Sequence, residues 1–239
     1  MNALAPSRLR DRLARIVADI NLDRSPTPAQ IGLIVDHAAI ARPVLLEILS
    51  DCAARERLPG GPVDAPLHAI FLLAAIDGFD ALPLVETILR KSFEDFVDPL
   101  FDENLLETVP WALARLGLDQ PERLLGLVHD ARLSVWVRVS VLQALVAQAA
   151  LRPDRRAFIL ERLCAPRPPR RAPADGGGFA EFLDVAVARL RAADDVREED
   201  DIAYFGPIRP DFDIFEVYEK AGRMIGYHDP IWAGDAHDA

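Results

Sequence analysis

The sequence predicts an all-α protein: an α-solenoid of stacked helical hairpins, followed by a C-terminal helix and an aromatic tail. Two observations carry this reading. Apolar residues recur at three- and four-residue spacing in one segment after another, and no strand signal interrupts them. A very apolar helix is followed by a more amphipathic one three times: 65–76 with 80–90, 105–116 with 121–129, and 135–150 with 154–163. Their starts lie roughly 30–40 residues apart, the period of helical repeats in which each unit buries its face on its neighbours.

The elements follow in order. Residues 7–20 read as an amphipathic helix with Leu9, Leu13, Ile16, Val17 and Ile20 on one side. Thr27-Pro28 supplies an N-cap and an N1 proline for a helix over 29–41. Pro43 is expected to start the next helix, 44–55, and Pro59-Gly60-Gly61-Pro62 to turn the chain. Between Leu67 and Ile76 the only polar residue is His68, so 65–76 reads as a buried helix ended by Asp77-Gly78. Residues 92–103, S-F-E-D-F-V-D-P-L-F-D-E, are acidic and aromatic. Helix 105–116 follows, with Pro110 starting or kinking it and Gly117 closing it.

Residues 130–150 form the organising stretch, a buried helix entered from a turn that carries Asp130. Val135, Val139, Leu142, Val146 and Ala149 share one face; Val137, Val141 and Ala144 form a second. A helix apolar on two sides is covered on both. Trp136 lies off the main stripe, where it fills a gap between units or faces a groove. Residues 166–178, rich in Pro, Arg and Gly, read as a linker between a repeat domain (1–165) and a C-terminal part (179–239). Gly176-Gly177-Gly178 follows no strand, so it is read as a flexible piece and not as a phosphate loop. A helix is expected over 179–193, then the charge run 194–201. The tail holds all three tyrosines, Tyr204, Tyr218 and Tyr227, along with Phe205, Phe212, Phe215 and Trp232. Disordered tails are poor in aromatics, so this one is expected to dock, on its own repeats or on a partner.

Composition narrows the function. The 239 residues are 51% hydrophobic and carry a net charge of −11, which disfavours nucleic acid and anionic membranes as partners. Cys52 and Cys164 stand alone, which predicts neither a disulfide framework nor structural zinc and fits a reduced cytoplasm. Charges at Arg8, Arg10, Asp11, Arg12, Arg15 and Asp19 leave no signal-peptide run, and no segment reads as transmembrane. Abundant Ala, Arg, Asp and Pro, with Lys91 and Lys220 as the only lysines, suit a GC-rich bacterial genome.

Asp130, Val137-Arg138, Leu142 and Ala144-Leu145 together resemble the HEAT-repeat pattern, including its phycobilisome-lyase-like variant. The resemblance implies that Asp130 braces a turn and that Arg138 reaches neighbouring backbone or carboxylate groups. The span 29–164 also resembles an uncharacterised bacterial family, domain-of-unknown-function family 1186. That likeness rests on Leu67-His68-Ala69 with Leu72-Leu73-Ala74, Ala81-Leu82-Pro83-Leu84, Phe101-Asp102-Glu103-Asn104-Leu105 with Glu107-Thr108, and Val137-Arg138. Some relatives end in a cysteine-rich zinc-binding tail. This chain has no cysteine after Cys164, so that property is not carried over.

No catalytic motif stands out. The histidines lie in no ligand spacing, and no G-x-S-x-G occurs. His68 reads as a hydrogen-bonded core histidine; beside Asp36 and His37 it forms a polar site if helices 29–41 and 65–76 pack together. Glu94, Asp95, Asp98, Asp102, Glu103 and Glu107 form an acidic cluster, with Asp98/Asp102 and Glu103/Glu107 at i, i+4 spacing. Paired carboxylates serve acid–base chemistry or a divalent cation; the plainer reading is a solvated loop with helix caps. Seven arginines within 152–171 could face phosphates but lack interleaved aromatics. They are expected to pair with the acidic run 194–201. The expected function is a non-enzymatic scaffold of the bacterial cytoplasm without a cofactor. It would bind a protein or peptide through Trp136, Tyr204, Phe205, Phe212, Phe215 and Tyr218, with self-association through the tail as a further outcome. The rival is a small-molecule enzyme or metal-binding protein using the acidic cluster or the His37/His68 site.

Overall fold

A computed structural model describes residues 26–58, 64–165 and 176–192, together with positions 11–13, 15, 16, 19, 214, 217 and 218. The regular elements among them are all helical, with no strand.

Helix α1, Pro28–Asp36, starts where the sequence places it. Thr27 and Gln30 form a reciprocal capping box: the Thr27 N–H donates to Gln30 Oε1 at 2.7 Å, and the Gln30 N–H donates to Thr27 Oγ1 at 3.4 Å. The expected break at Pro43 moves. The chain breaks at His37, and α2, Ala38–Ala54, runs through Pro43. Pro43 and Ala39 are both exposed, so the hydrogen bond that a proline cannot make falls on the exposed side of the helix.

Helix α3, Ala65–Ala75, is buried from Ala65 to Ala74. Asp77 takes the left-handed conformation that ends it, with φ 54°. Gly78 is needed for a different reason: a Cβ there would lie 2.8 Å from Leu73 Cδ2 and 3.0 Å from the Leu73 carbonyl oxygen. Gly117 repeats this arrangement, its Cβ position lying 2.8 Å from Leu124 Cδ1 and 3.0 Å from the Leu113 carbonyl oxygen.

Helix α4, Leu82–Leu89, leads into the acidic segment whose plainer reading is a solvated loop. It is instead helical, a π-turn over Phe93–Val97 continuing into α5, Asp98–Phe101. Phe96 and Phe101 are fully buried, while Glu94, Asp95, Asp98, Asp102 and Glu103 stay exposed. Burial of the aromatics holds the segment helical, and the charges only mark its wet side. After α6, Asn104–Glu107, the chain breaks at Thr108, and Pro110 lies in the first turn of α7, Val109–Leu116.

Helix α8, Pro121–Val128, precedes α9, Val135–Leu151, whose Ser134 cap accepts from the Trp136 N–H at 3.3 Å. Both expected apolar faces of α9 are buried except at Val135, which is half-buried in the first turn: Val139, Leu142, Val146 and Ala149 on one, Val137, Val141 and Ala144 on the other. Helix α10, Arg156–Cys164, buries Ile159 and Leu163. Helix α11, Gly176–Ala192, begins within the expected linker, because Gly176-Gly177-Gly178 forms its first turn. The upstream part of that linker, 166–175, lies outside the described residues.

Contacts between elements follow a rule. α3 packs on α2 and α7, and α7 packs on α9, which is also covered by α8 and α11; α4 lies on α2, and α10 on α8. The apolar helices α3, α7 and α9 thus lie side by side. No single helix among the described residues is long and apolar enough to cross a membrane.

Candidate functional site

Two polar constellations stand out from this apolar body. The first is the turn before α9. The Asp130 carboxylate receives Arg90 Nη1 at 2.5 Å, and Arg132 Nε and Nη2 at 2.9 and 2.8 Å. Its Oδ1 also accepts the Arg132 N–H at 3.2 Å. The Arg132 hydrogen bonds, with Arg90 behind them, hold Asp130 well below the usual carboxylate range. A shallow depression of about 500 Å³ lies over this turn, lined by Gly126, His129, Asp130, Ala131 and Arg132.

Asp130 thus links its own turn, through Arg132, to the end of α4, through Arg90, and both are arginines that sequence reasoning overlooked. Arg138 braces a different group. Its Nε donates to the Val128 carbonyl at 2.9 Å, and its guanidinium lies 3.6 Å from the centroid of the Phe179 ring. It ties the end of α8 to α9 and α11. Trp136 has an exposure of 38% and meets Phe182 of α11 edge-on, with centroids 6.2 Å apart. One side of the indole packs against α11, and the residue stays partly exposed.

The second constellation is buried. His68, 3% exposed on α3, shares a hydrogen bond of 3.1 Å between its Nδ1 and the Tyr218 hydroxyl. The two rings stack with centroids 5.4 Å apart, and Phe71 meets Tyr218 edge-on at 5.9 Å. Burial lowers the His68 pKa to about 4 and raises that of the Tyr218 phenol. His68 Nε2 is buried with no hydrogen-bond partner among the described residues. Ile214 and Val217 are buried with Tyr218, so this part of the tail docks on its own chain. Tyr204, Phe205, Phe212 and Phe215 lie outside the described residues.

The other sequence candidates do not assemble with these. Helices α1 and α3 pack, but Asp36 is exposed, His37 sits half-buried at the break between α1 and α2, and His68 Nδ1 is engaged by Tyr218. The i, i+4 carboxylate pairs span helix ends: Asp102 leaves α5 with φ 45°, and Glu103 precedes α6. The break at Asp102 parts it from the helix face of Asp98, whereas Glu103 is helical and lies one turn before Glu107 on the short α6. Among the described residues, no group of three or more His, Cys, Asp or Glu side chains could hold a metal ion.

The arginine segment turns to local acids. Arg152 pairs with Asp154 and Asp119, each at 3.0 Å. The acidic run 194–201 expected to neutralise it lies outside the described residues.

A wider pattern appears in the ion pairs. Arg42–Asp80, Arg123–Glu86, Arg90–Asp130 and Arg152–Asp119 join residues 38, 37, 40 and 33 positions apart. Arg115–Asp77, at 2.6 Å, runs in parallel with them. Gln148 Nε2 also donates to the Gly117 carbonyl, 31 positions away. These links join one apolar-plus-amphipathic helix pair to the next. The 37–40 residue offset between Arg and acid was the signal that could have found Arg90.

Comparison of this chain with known protein families, with curated proteins and with solved structures finds no match.

Proposed function

We propose that this chain is a HEAT-like α-solenoid acting as a non-enzymatic interaction scaffold for a protein or peptide partner in the bacterial cytoplasm. The observation that carries the reading is the recurrence of inter-unit ion pairs at 33–40 residue offsets beside side-by-side apolar helices. Contacts of one kind that repeat from unit to unit are what a stacked array requires. The resemblance of residues 29–164 to family 1186 points the same way.

The partner surface that fits best is the turn before α9. Arg132 has a side-chain exposure of 86% at the rim of the depression, and the partly exposed Trp136 follows four residues later. Arg and Trp are the side chains that most often anchor interfaces.

Affinity capture from bacterial extract, with wild type and Arg132→Ala in parallel, tests this. The expected result is a discrete protein retained by wild type and reduced at least tenfold with Arg132→Ala, at an unchanged melting temperature. Recovery of no partner, together with a divalent ion or metabolite bound near one per chain, would overturn the scaffold in favour of the enzyme or metal-binding reading.

A further inference from the structure

We propose that α3 carries a docking groove for an amphipathic helix, occupied in cis by this chain's own Ile214–Val217–Tyr218 segment, with the His68–Tyr218 hydrogen bond setting its register. The inference goes beyond the scaffold reading and stands without it.

Spacing is the first argument. Ile214, Val217 and Tyr218 are helical and all buried. Their i, i+3, i+4 positions are the anchor pattern of a helix laid into a groove. The nature of the floor is the second argument. From Ala65 to Ala74 every residue of α3 is buried, and His68 is the one titratable side chain among them. A permanent core contact there would be served best by an apolar residue, because burying an imidazole carries a desolvation penalty. The imidazole Nδ1 is matched to a single phenolic hydroxyl 150 positions away, and Nε2 is left with no partner among the described residues.

A half-satisfied polar contact does little for stability and much for selectivity. It accepts a tyrosine at one position of the incoming helix. A phenylalanine there would leave both imidazole nitrogens buried without a bond, and a register shift of one residue would place an aliphatic or acidic side chain against the ring. The occupant is this chain's own segment, because the structure seats Tyr218 against His68 and Phe71 of α3 in cis.

The test uses the full chain and a fluorescent peptide of residues 208–224. Wild-type protein should bind the peptide weakly, because its own segment fills the groove. The Tyr218→Ala chain should bind it at least tenfold more tightly. The same peptide carrying Tyr218→Phe should bind that chain about fivefold more weakly than the unaltered peptide, the fold-change of one lost hydrogen bond. Equal peptide affinity for the wild-type and Tyr218→Ala chains, both folded by circular dichroism, would overturn the proposal and make the segment a fixed part of the core.

Should Tyr218→Ala unfold the protein, Tyr218→Phe in the chain removes one oxygen and keeps the volume. It should raise peptide affinity about fivefold, and no rise overturns the groove. Sedimentation of wild type should give a monomer at concentrations where the peptide is excluded. A dimer dissociated by the peptide would overturn occupancy in cis and assign the groove to a second copy.

Discussion

Helix α9 meets α7, α8 and α11 through side chains such as Val137, Val139, Leu142, Ala144 and Leu145, all buried and all apolar, with the ion pairs kept to the rim. The contact between α3 and the tail is built differently. Among the described residues it is equally buried, yet it is made by a histidine and a tyrosine. The first interface gains from every methylene it removes from water, and its buried polar side chains are few: Ser140, and Gln148, which donates across it to the Gly117 carbonyl. The second gives up part of that gain for a directional contact that distinguishes one incoming residue from another. One chain thus holds a seam made for permanence and a seam made for choice.

Removing a side chain from the apolar seam should have the largest effect. Leu142→Ala should lower unfolding free energy by about 2–5 kcal/mol in urea melts, since Leu142 is fully buried and its neighbours are locked in helices. A loss below 1 kcal/mol would mean that the seam is loose. Acid should weaken the polar seam next. Burial holds the His68 pKa at about 4 in the folded chain, below the 6.5 of a solvated imidazole. Because the folded pKa is depressed, the unfolded chain takes up the proton first. Stability contributed by the docked, neutral ring is therefore present above pH 6.5 and lost as pH falls from 6.5 towards 4, by roughly 3 kcal/mol in full. His68→Phe should remove this part of the pH dependence, and an unchanged acid profile in that variant would place the sensitivity elsewhere.

A smaller effect is expected where backbone crowds backbone. Gly117→Ala forces a methyl against Leu124 and the Leu113 carbonyl and should lower stability by about 1–2 kcal/mol, read by thermal melting. The weakest is a rim ion pair. Arg42→Ala breaks the 2.7 Å contact to Asp80, in which both side chains are well exposed, and should change stability by less than about 1 kcal/mol. A loss of 2 kcal/mol or more there would show that the repeated ion pairs act as a network.

Period and composition made much of the helical body legible. The two faces of α9, the burial of α3 and the cap at Thr27 all follow from local rules of spacing and capping. The misreadings share a cause. Pro43 and Gly176-Gly177-Gly178 carry strong local signals for breaks, and the charges of 92–103 signal a loop. Local propensity amounts to about 1 kcal/mol for a glycine and about 3 for a proline, and burial of whole helix faces outweighs it. Phe96 and Phe101 show this directly, because their burial organises a segment whose composition argued for a solvated turn.

The candidate sites were less legible, because a site depends on which residues meet. His68 was readable as a hydrogen-bonded core histidine from the apolar residues around it. That its partner would be Tyr218, and not His37 or Asp36, was not, since nothing within a few residues of His68 encodes a contact 150 positions away. Asp130 reads as a brace from the resemblance, yet Arg90 became its partner only through the offset between helix pairs. The order of the helices and their buried faces were written in local periodicity, where each residue's environment depends on neighbours three and four positions along. Folding alone chose the pairing of distant polar groups and the seat of the tail on α3, because those contacts depend on how packed helices bring remote surfaces together.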